Sequence, residues 1–249
     1  MIKMNKILLK TIFLTTGILF ASYSHAEFSY EQELKQGCAQ IKQYRQSGQK
    51  FYQQRNYKKA LESFQNQASW SAFCFNQQDE SGIQISEKEI DIANNNVGLT
   101  YAKLERPLWA IAWFQINAQS KTSQFNLKQL PAPKKQTDLS GQYVNYAGYG
   151  AWNYITVKKQ NQKYNIEFEG VYMGLRSLIY GPNLGQFETT MPLNYKKATT
   201  QECAIDLAFG FNAQVGNFVA VNQKQNLSDC GYFGHNVSAN GLYQKVEIR

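Results

Sequence analysis

The sequence predicts an α+β protein in which a helical-hairpin domain is followed by an antiparallel β-barrel or sandwich. The first half of the chain is rich in Gln, Lys, Glu, Ala and Leu at helical spacing, whereas the second half is rich in Tyr, Phe, Val, Gly and Asn in alternating patterns. Between them lies LPAPKKQTD, whose prolines and charges suit neither a helix nor a central strand. We therefore expect a helical domain at 27–130, a linker at 131–138 and a β-domain at 139–249.

The N-terminal segment has the features of a secretory signal peptide. Lys3, Lys6 and Lys10 precede or enter the apolar run TIFLTTGILFA, which ends in SYSHA. A basic start, an apolar stretch of about 7–15 residues and a small-residue end are typical of such leaders. The run is also shorter than the roughly 20 apolar residues that a spanning helix needs. We predict cleavage after Ala26 and an exported chain that does not span the membrane.

Charge and compartment narrow the possible partners. Removing the predicted leader lowers the net charge from +8 to +5 and removes His25, so that His235 is the one histidine of the mature sequence. The remaining lysines are scattered, so the sequence does not predict the clustered basic face of a nucleic-acid-binding protein. Because the leader and the composition look bacterial, we expect the periplasm, an oxidising compartment in which paired cysteines form disulfides.

Two stretches of the helical half, YRQSGQKFYQQRNYKKALESFQNQA and NNNVGLTYAKLERPLWAIAWFQINA, carry one pattern of small and aromatic residues. The aligned pairs are Gly48 with Gly98, Phe51 with Tyr101, Ala60 with Ala110 and Phe64 with Phe114. This pattern resembles the tetratricopeptide repeat, a pair of antiparallel helices, and the resemblance implies a groove that binds a protein partner. The repeats lie 50 residues apart, against about 34 in that family. Asn94 replaces a usual large residue, and Gln67 and Asn117 replace usual small ones. The alternative is a helical-hairpin domain outside that family.

The cysteines allow three pairings. In a hairpin of the tetratricopeptide kind, the start of the first helix lies beside the end of the second. Cys38 is expected just before the first helix and Cys74 just after the second, which implies a bridge between them. Cys203 and Cys230 then flank a predicted β-hairpin at 204–222, and we expect a second bridge there.

Local patterns place individual elements. Ser86 followed by Glu89 is a capping-box signature that predicts the start of the third helix. Ile166 and Phe168 alternate with polar neighbours, as in a half-buried strand. The first strand of the predicted hairpin has an apolar face formed by Ile205, Leu207, Phe209 and Phe211. The segment LYQKVEI is expected to be the last strand.

For the candidate catalytic and metal-binding residues, the sequence context favours structural roles. Cys230 lies five residues before His235, but a disulfide would remove the thiolate that a catalytic pair needs. The spacing also lacks the four ligands of a structural zinc site. Glu167 and Glu169, like Asp206, are expected on the polar face of a strand, although a carboxylate pair can also serve acid–base chemistry. We predict no catalytic residue, no metal and no cofactor.

Two glycine-rich loops, NYAGYGAWNY and MGLRSLIYGPNLG, carry the candidate binding residues. Tyr149, Trp152, Arg176 and Tyr180 are of the types that anchor protein interfaces and stack on sugars. Trp152 and Arg176 are expected to be exposed contact residues. The alternative is that these aromatic residues fill the core of the β-domain.

These observations predict an exported interaction protein that binds a periplasmic protein through its helices and the aromatic loops of its β-domain. The C-terminal pattern C-x-I-x-L-x-F…C-G-x-F-G-x-N-V-x-A-x-G-x-Y is also loosely similar to small periplasmic β-domains such as lysozyme-inhibitor modules. The alternative function is therefore an inhibitor or immunity protein directed against a cell-wall hydrolase. A third hypothesis, an enzyme acting on cell-wall glycan through Glu167 or Glu169, ranks last.

Overall fold

The computed structural model describes residues 29–200, 204–223, 231 and 233–248. The predicted signal peptide lies outside these residues, and so do Cys203 and Cys230. The second predicted disulfide therefore stays a prediction.

The described chain forms a helical half followed by a β half, which confirms the α+β prediction. The helices of the first half are α1 (Tyr30–Ala39), α2 (Ile41–Gln53), α3 (Tyr57–Phe75), α4 (Gln78–Ser81), α5 (Glu87–Lys103), α6 (Pro107–Gln115) and α7 (Lys121–Lys128). The second half contains β1 (Gly141–Gly148), β2 (Ala151–Gln160), β3 (Lys163–Tyr172), the short helix α8 (Ser177–Tyr180), β4 (Asn183–Pro192), β5 (Lys197–Thr199), β6 (Ile205–Asn212), β7 (Gly216–Gln223) and β8 (Gly241–Ile248).

The hairpins α2–α3 and α5–α6 share their local geometry. The turns hold Arg55 and Glu105 at the same left-handed φ of 59°. In both hairpins a glycine lies so close to a phenylalanine ring that any side chain there would collide with it. A Cβ on Gly48 would lie 2.5 Å from the ring of Phe64, and a Cβ on Gly98 would lie 2.3 Å from the ring of Phe114. The repeated sequence pattern therefore corresponds to a repeated helix–helix contact.

The predicted disulfide between Cys38 and Cys74 is present, with the two Cα atoms 5.8 Å apart. Cys38 lies just before the first helix of the hairpin, as expected, in the last turn of the preceding helix α1. The expected position of Cys74 was wrong, because this residue lies within the last turn of α3 and not after it. Helix α1 begins with a capping box in which Ser29 accepts from the backbone of Gln32 and the Gln32 side chain accepts from the Ser29 backbone. The capping box predicted from Ser86 and Glu89 is confirmed at the start of α5.

All eight described strands belong to one antiparallel sheet with the order β4-β3-β2-β1-β8-β7-β6-β5. Sequence neighbours pair except for β4 and β5, which form the two edges of the sheet, and the last strand, β8, also pairs with β1. The edge strands β4 and β5 approach each other, and the Thr189 hydroxyl donates to the carbonyl of Thr199 at 3.4 Å. The sheet is therefore a nearly closed barrel.

The barrel interior is filled by one face of each long strand. The alternation predicted for β3 and β6 is confirmed, since Ile166, Phe168, Ile205 and Leu207 are at most 1% exposed. Among the described residues, the buried interior set is Leu139, Tyr143, Ile155, Val157, Tyr164, Ile166, Phe168, Phe187, Met191, Ala198, Ile205, Leu207, Phe209, Val219, Val221, Ala239 and Tyr243.

A second core lies between the helices and the outer face of the barrel. Trp109 and Trp113 of α6 pack with Val144 of β1, Trp152 of β2 and Val246 of β8. The two halves thus share buried side chains.

The segment 131–138 between the two halves has no helix or strand, yet it is hydrogen-bonded to the barrel. Its Gln136 backbone N–H donates to the Asn217 side chain at 2.8 Å, and the Asn217 amide donates back to the Gln136 carbonyl at 2.9 Å. These two hydrogen bonds fix the linker on β7 of the barrel.

Candidate functional site in a groove of the helical domain

The predicted contact residue Trp152 lies at the centre of the second core. It is 7% exposed, so the expectation that it is an exposed contact residue was wrong. Its ring makes edge-to-face contacts with Trp109 at 5.8 Å, Trp113 at 5.5 Å and Tyr146 at 5.2 Å. We call these four residues the aromatic joint. Trp152 is therefore one of the residues through which the β half packs against the helical half.

Tyr149 also packs against the helices. It is 9% exposed, its ring meets Phe73 of α3 edge-to-face at 5.2 Å, and its hydroxyl accepts from the Asn76 amide at 3.0 Å. Its backbone has a left-handed φ of 47°, which turns the loop between β1 and β2 toward α3. The glycine-rich loop between β1 and β2 therefore packs the β half against α3 of the helical half.

Arg176 and Tyr180 lie in the second predicted loop and remain exposed. The Arg176 guanidinium lies 4.8 Å from the centre of the Tyr30 ring, and Tyr180 stacks at a tilt on the same ring at 5.7 Å. Burial raises the pKa of Tyr30, and the nearby Arg176 acts in the opposite direction. The Tyr30 hydroxyl donates to the carbonyl of Leu175, so α1 is held against this loop.

The described residues weighed for catalysis lie on three separate segments: Glu167 and Glu169 on β3, Asp206 on β6 and His235 in a turn. Glu167 forms an ion pair with Lys158 at 2.8 Å, and the Asp206 carboxylate accepts from the Thr199 hydroxyl at 2.8 Å. His235 is exposed in a turn, where its carbonyl accepts from the Asn183 amide. Cys230 lies outside the described residues. Across the described ranges, three or more His, Cys, Asp or Glu side chains nowhere converge as they would around a metal ion.

A different feature, a groove in the helical half, is the best candidate for a functional site. Helix α3 packs against both α2 and α5 and forms the floor between them. Two cavities lie along this floor, one of about 420 Å³ beside the disulfide and one of about 300 Å³ at the other end. The first is lined by the N-terminal parts of α2 and α5, and the second by their C-terminal parts. We call the two cavities together the α2–α5 groove.

The groove walls alternate between apolar and polar side chains at helical spacing. The residues from α2 are Ile41, Lys42, Arg45, Gln49, Tyr52 and Gln53, and those from α5 are Glu89, Ile92, Asn96 and Leu99. The floor residues from α3 are Phe64, Gln67 and Ser71. The segment after α4 closes the disulfide end with Ile83, Gln84 and Ile85. Leu99, at the far end, is a large apolar side chain that is 37% exposed.

Two floor residues are polar and lack partners. Gln67 is 3% exposed and Ser71 is fully buried. Within the described structure, neither the Gln67 Oε1 atom nor the Ser71 hydroxyl oxygen has a hydrogen-bond partner. Leaving a buried polar group unpaired costs roughly 1–3 kcal/mol, and each such group in a folded protein calls for a reason. We call Gln67 and Ser71 the polar floor.

The second hairpin provides an internal comparison. The residue that aligns with Gln67 is Asn117, and its side-chain amide donates to the Asp91 carboxylate at 3.3 Å. Asp91 also accepts from Ser120 and Asn95, so this second amide belongs to a network that fixes α7 on α5. The two hairpins thus use the same position differently.

Charged side chains stand at the mouth of the larger cavity. Lys42 and Arg45 of α2 are exposed on one side, and Glu89 of α5 lies on the other. Hydrogen bonds from the backbone and side chain of Ser86 lower the pKa of Glu89, with a smaller contribution from the nearby Arg45. Glu89 therefore serves the α5 cap in its ionised form, and the charged groups lining this cavity sum to +1.

The tetratricopeptide resemblance predicts a protein-binding groove on the helices, but the sequence did not predict the residues that line it. Gln67, which stands where such a repeat has a small residue, is the signal that the sequence offers. In the ranges that the structure describes, every helix is too short or too polar to cross a membrane. Comparisons with models of known protein families, with curated proteins and with solved structures gave no match.

Proposed function

We propose that this chain is an exported interaction protein that binds a segment of a periplasmic protein partner in the α2–α5 groove. The observation that carries the proposal is the polar floor. A groove that keeps two buried polar atoms without partners from the described chain is stabilised when a ligand supplies those partners. Cavities of 420 and 300 Å³ also lie in the range of about 300–1,000 Å³ that is usual for ligand sites.

The groove has the form that a peptide segment requires. Its apolar residues, such as Ile92 and Leu99 on α5, can take up the side chains of a partner, while its polar residues can bond to a partner's backbone. The disulfide and the barrel both hold α3, so the floor is in place before a partner arrives. Pre-ordering of this kind reduces the entropy lost on binding.

The proposal is tested by site-specific photo-crosslinking in cells of the source organism. A photoreactive amino acid is introduced at position 99, in the groove, at position 125, and at position 180. Phe125 is the matched control, because it is an apolar helix residue of the same half that is 63% exposed and outside the groove. We expect one protein to be crosslinked at position 99 and not at position 125. Equal labelling at both positions, or none at position 99, would refute the proposal.

One observation favours the second candidate function, inhibition of a cell-wall hydrolase. Around α8 the chain exposes four large apolar side chains: Tyr172 at 39%, Leu175 at 65%, Tyr180 at 64% and Leu184 at 66%. A protruding apolar loop of this kind suits insertion into an enzyme cleft. Crosslinking of a lytic enzyme at position 180, together with suppression of peptidoglycan lysis at an equimolar ratio, would support this second function over the first.

A further inference from the structure

The polar floor restricts the chemistry of whatever the larger cavity binds. The Gln67 Oε1 atom is only an acceptor, so a ligand must bring an N–H or O–H donor to it. Ser71 follows Gln67 by four residues on α3, which places both side chains on one face about one helical turn apart. A single group with two hydrogen-bonding atoms can therefore reach both.

The surroundings of the floor disfavour a charged donor. The cavity walls include Ile41, Ile85 and Ile92, so an ammonium or guanidinium group there would lose its hydration. Lys42 and Arg45 stand at the same cavity and would repel it. A neutral amide N–H can donate to the polar floor without the loss of a charge's hydration and without repulsion from Lys42 and Arg45.

The mouth of the cavity favours an anionic group next to that amide. Lys42 and Arg45 are both exposed, and they lie on adjacent turns of the same face of α2. The negative charge of Glu89 on the opposite side offsets one of these two positive charges. Its carboxylate is held at the helix cap, where it accepts hydrogen bonds from the Ser86 hydroxyl and backbone. The remaining positive charge complements one carboxylate.

We infer that the partner segment places a neutral amide N–H against Gln67 and Ser71 and a carboxylate against Lys42 and Arg45. This inference rests on the proposed function and specifies its ligand: an acidic residue beside an amide donor in a short peptide. The amide comes either from an Asn or Gln side chain or from the peptide backbone, and both sources offer the same hydrogen bond.

The test uses selection from a random dodecapeptide library displayed on phage, with the oxidised mature chain, residues 27–249, as the target. Selected peptides are synthesised, and their dissociation constants are measured against the unmodified protein and its variants. Ser71→Ala and Gln67→Met each remove a floor hydrogen bond and should weaken binding about tenfold. Arg45→Glu should weaken it at least tenfold, while the matched charge reversal Lys50→Glu on the same helix, away from the groove, should change it less than twofold.

A second readout separates a binding role from a structural one. Because Ser71→Ala removes a hydroxyl that is buried and unpaired in the described structure, it should raise the melting temperature of the free protein by about 2 °C while lowering affinity. In the peptide, replacing the Asn or Gln residue by Leu tests a side-chain donor, and N-methylation tests a backbone donor. One of these two changes should reproduce the loss caused by Ser71→Ala.

The outcomes distinguish the inference from the proposed function. Peptides with an acidic residue that lose affinity with the floor variants support both. Peptides that respond to Leu99→Glu but not to the floor variants, or that lack an acidic residue, overturn the inference and leave the proposed function standing. Peptides that respond to neither set, or the absence of any selected peptide, overturn both.

Discussion

The packing of the aromatic joint predicts that removing Trp152 destabilises both halves of the protein. Trp152 of β2 is surrounded by Trp109 and Trp113 of α6 and by Tyr146 of its own sheet. The variant Trp152→Ala removes the side chain that the helical half packs against and leaves the barrel interior untouched, because Trp152 lies on the outer face of the strand. We expect both halves to lose stability.

The magnitude follows from burial. A tryptophan side chain buries on the order of 200 Å², which at about 25 cal/mol per Å² corresponds to roughly 5 kcal/mol. Trp152 is 7% exposed, so nearly all of this area is lost in the variant. Large-to-small substitutions of buried aromatic residues typically cost about 3–5 kcal/mol. We therefore expect the free energy of unfolding to fall by about 4 kcal/mol.

Urea denaturation followed by circular dichroism measures the total loss, and native-state hydrogen exchange shows where it occurs. Amides of α6 and of the barrel strands should lose protection by the same factor. The control Tyr195→Ala removes an aromatic side chain that is 57% exposed and should cost less than about 0.5 kcal/mol. A loss below about 1 kcal/mol, or lost protection in the barrel with α6 unchanged, would refute the view that the halves share one cooperative core.

Three further predictions concern stability. Replacing Cys38 and Cys74 together by serine should lower the free energy of unfolding by about 4 kcal/mol, the chain-entropy value for a sequence separation of 36, and a change below about 1 kcal/mol in urea denaturation would contradict it. Gly98→Ala should cost about 1–3 kcal/mol by forcing a methyl group into a phenylalanine ring, and an unchanged melting temperature would show that the helices can separate freely. Burial raises the pKa of Tyr143 and Tyr243 above the ordinary value of 10.0, so the folded chain keeps phenolic protons that the unfolded chain releases. Their contribution is complete below about pH 10 and is lost above it, so stability should fall by about 3 kcal/mol between pH 9 and pH 11, and a flat urea midpoint over that range would exclude this linkage.

The elements predicted correctly are those whose cause is local in sequence. The capping box of Ser86 and Glu89 needs only four residues to form, and it lies where the pattern indicated. The alternation around Ile166 and Phe168 identifies a buried face, because side chains on a strand point alternately to its two sides. Helix type, strand type and the α+β order therefore followed from short-range patterns.

The errors concern contacts between residues far apart in sequence. Alternation places Trp152 opposite Ile155 but does not say what covers the outer face of the strand. That cover is α6, some forty residues earlier in the chain. A signal was present, since Trp152 and Tyr154 make the outer face as apolar as the inner face formed by Ile155 and Val157. A strand of an antiparallel sheet with two apolar faces indicates that a second layer packs on it.

The polar floor is the feature that sequence reasoning is least able to predict. A glutamine or serine within a helix is normally exposed or paired, and only the packing of α2 and α5 over α3 decides otherwise. The aligned pair Gln67 and Asn117 shows this difference. The Asn117 amide donates to Asp91, whereas the Gln67 Oε1 atom has no partner within the described residues. The aligned positions thus support a structural network in one hairpin and a buried amide oxygen without a described partner in the other.

The disulfide links the groove to the rest of the fold. Cys38 lines the larger cavity, and Cys74 follows Ser71 by three residues at the end of α3. On the opposite side of α3, Phe73 packs against Tyr149 from the barrel. The end of α3 that carries the floor is therefore held by a covalent bond to α1 and by an aromatic contact from the β half. The glycine-rich loop between β1 and β2 therefore helps to fix the helix that forms the groove floor. Under the proposed function, the barrel keeps the helical groove ordered before a partner binds.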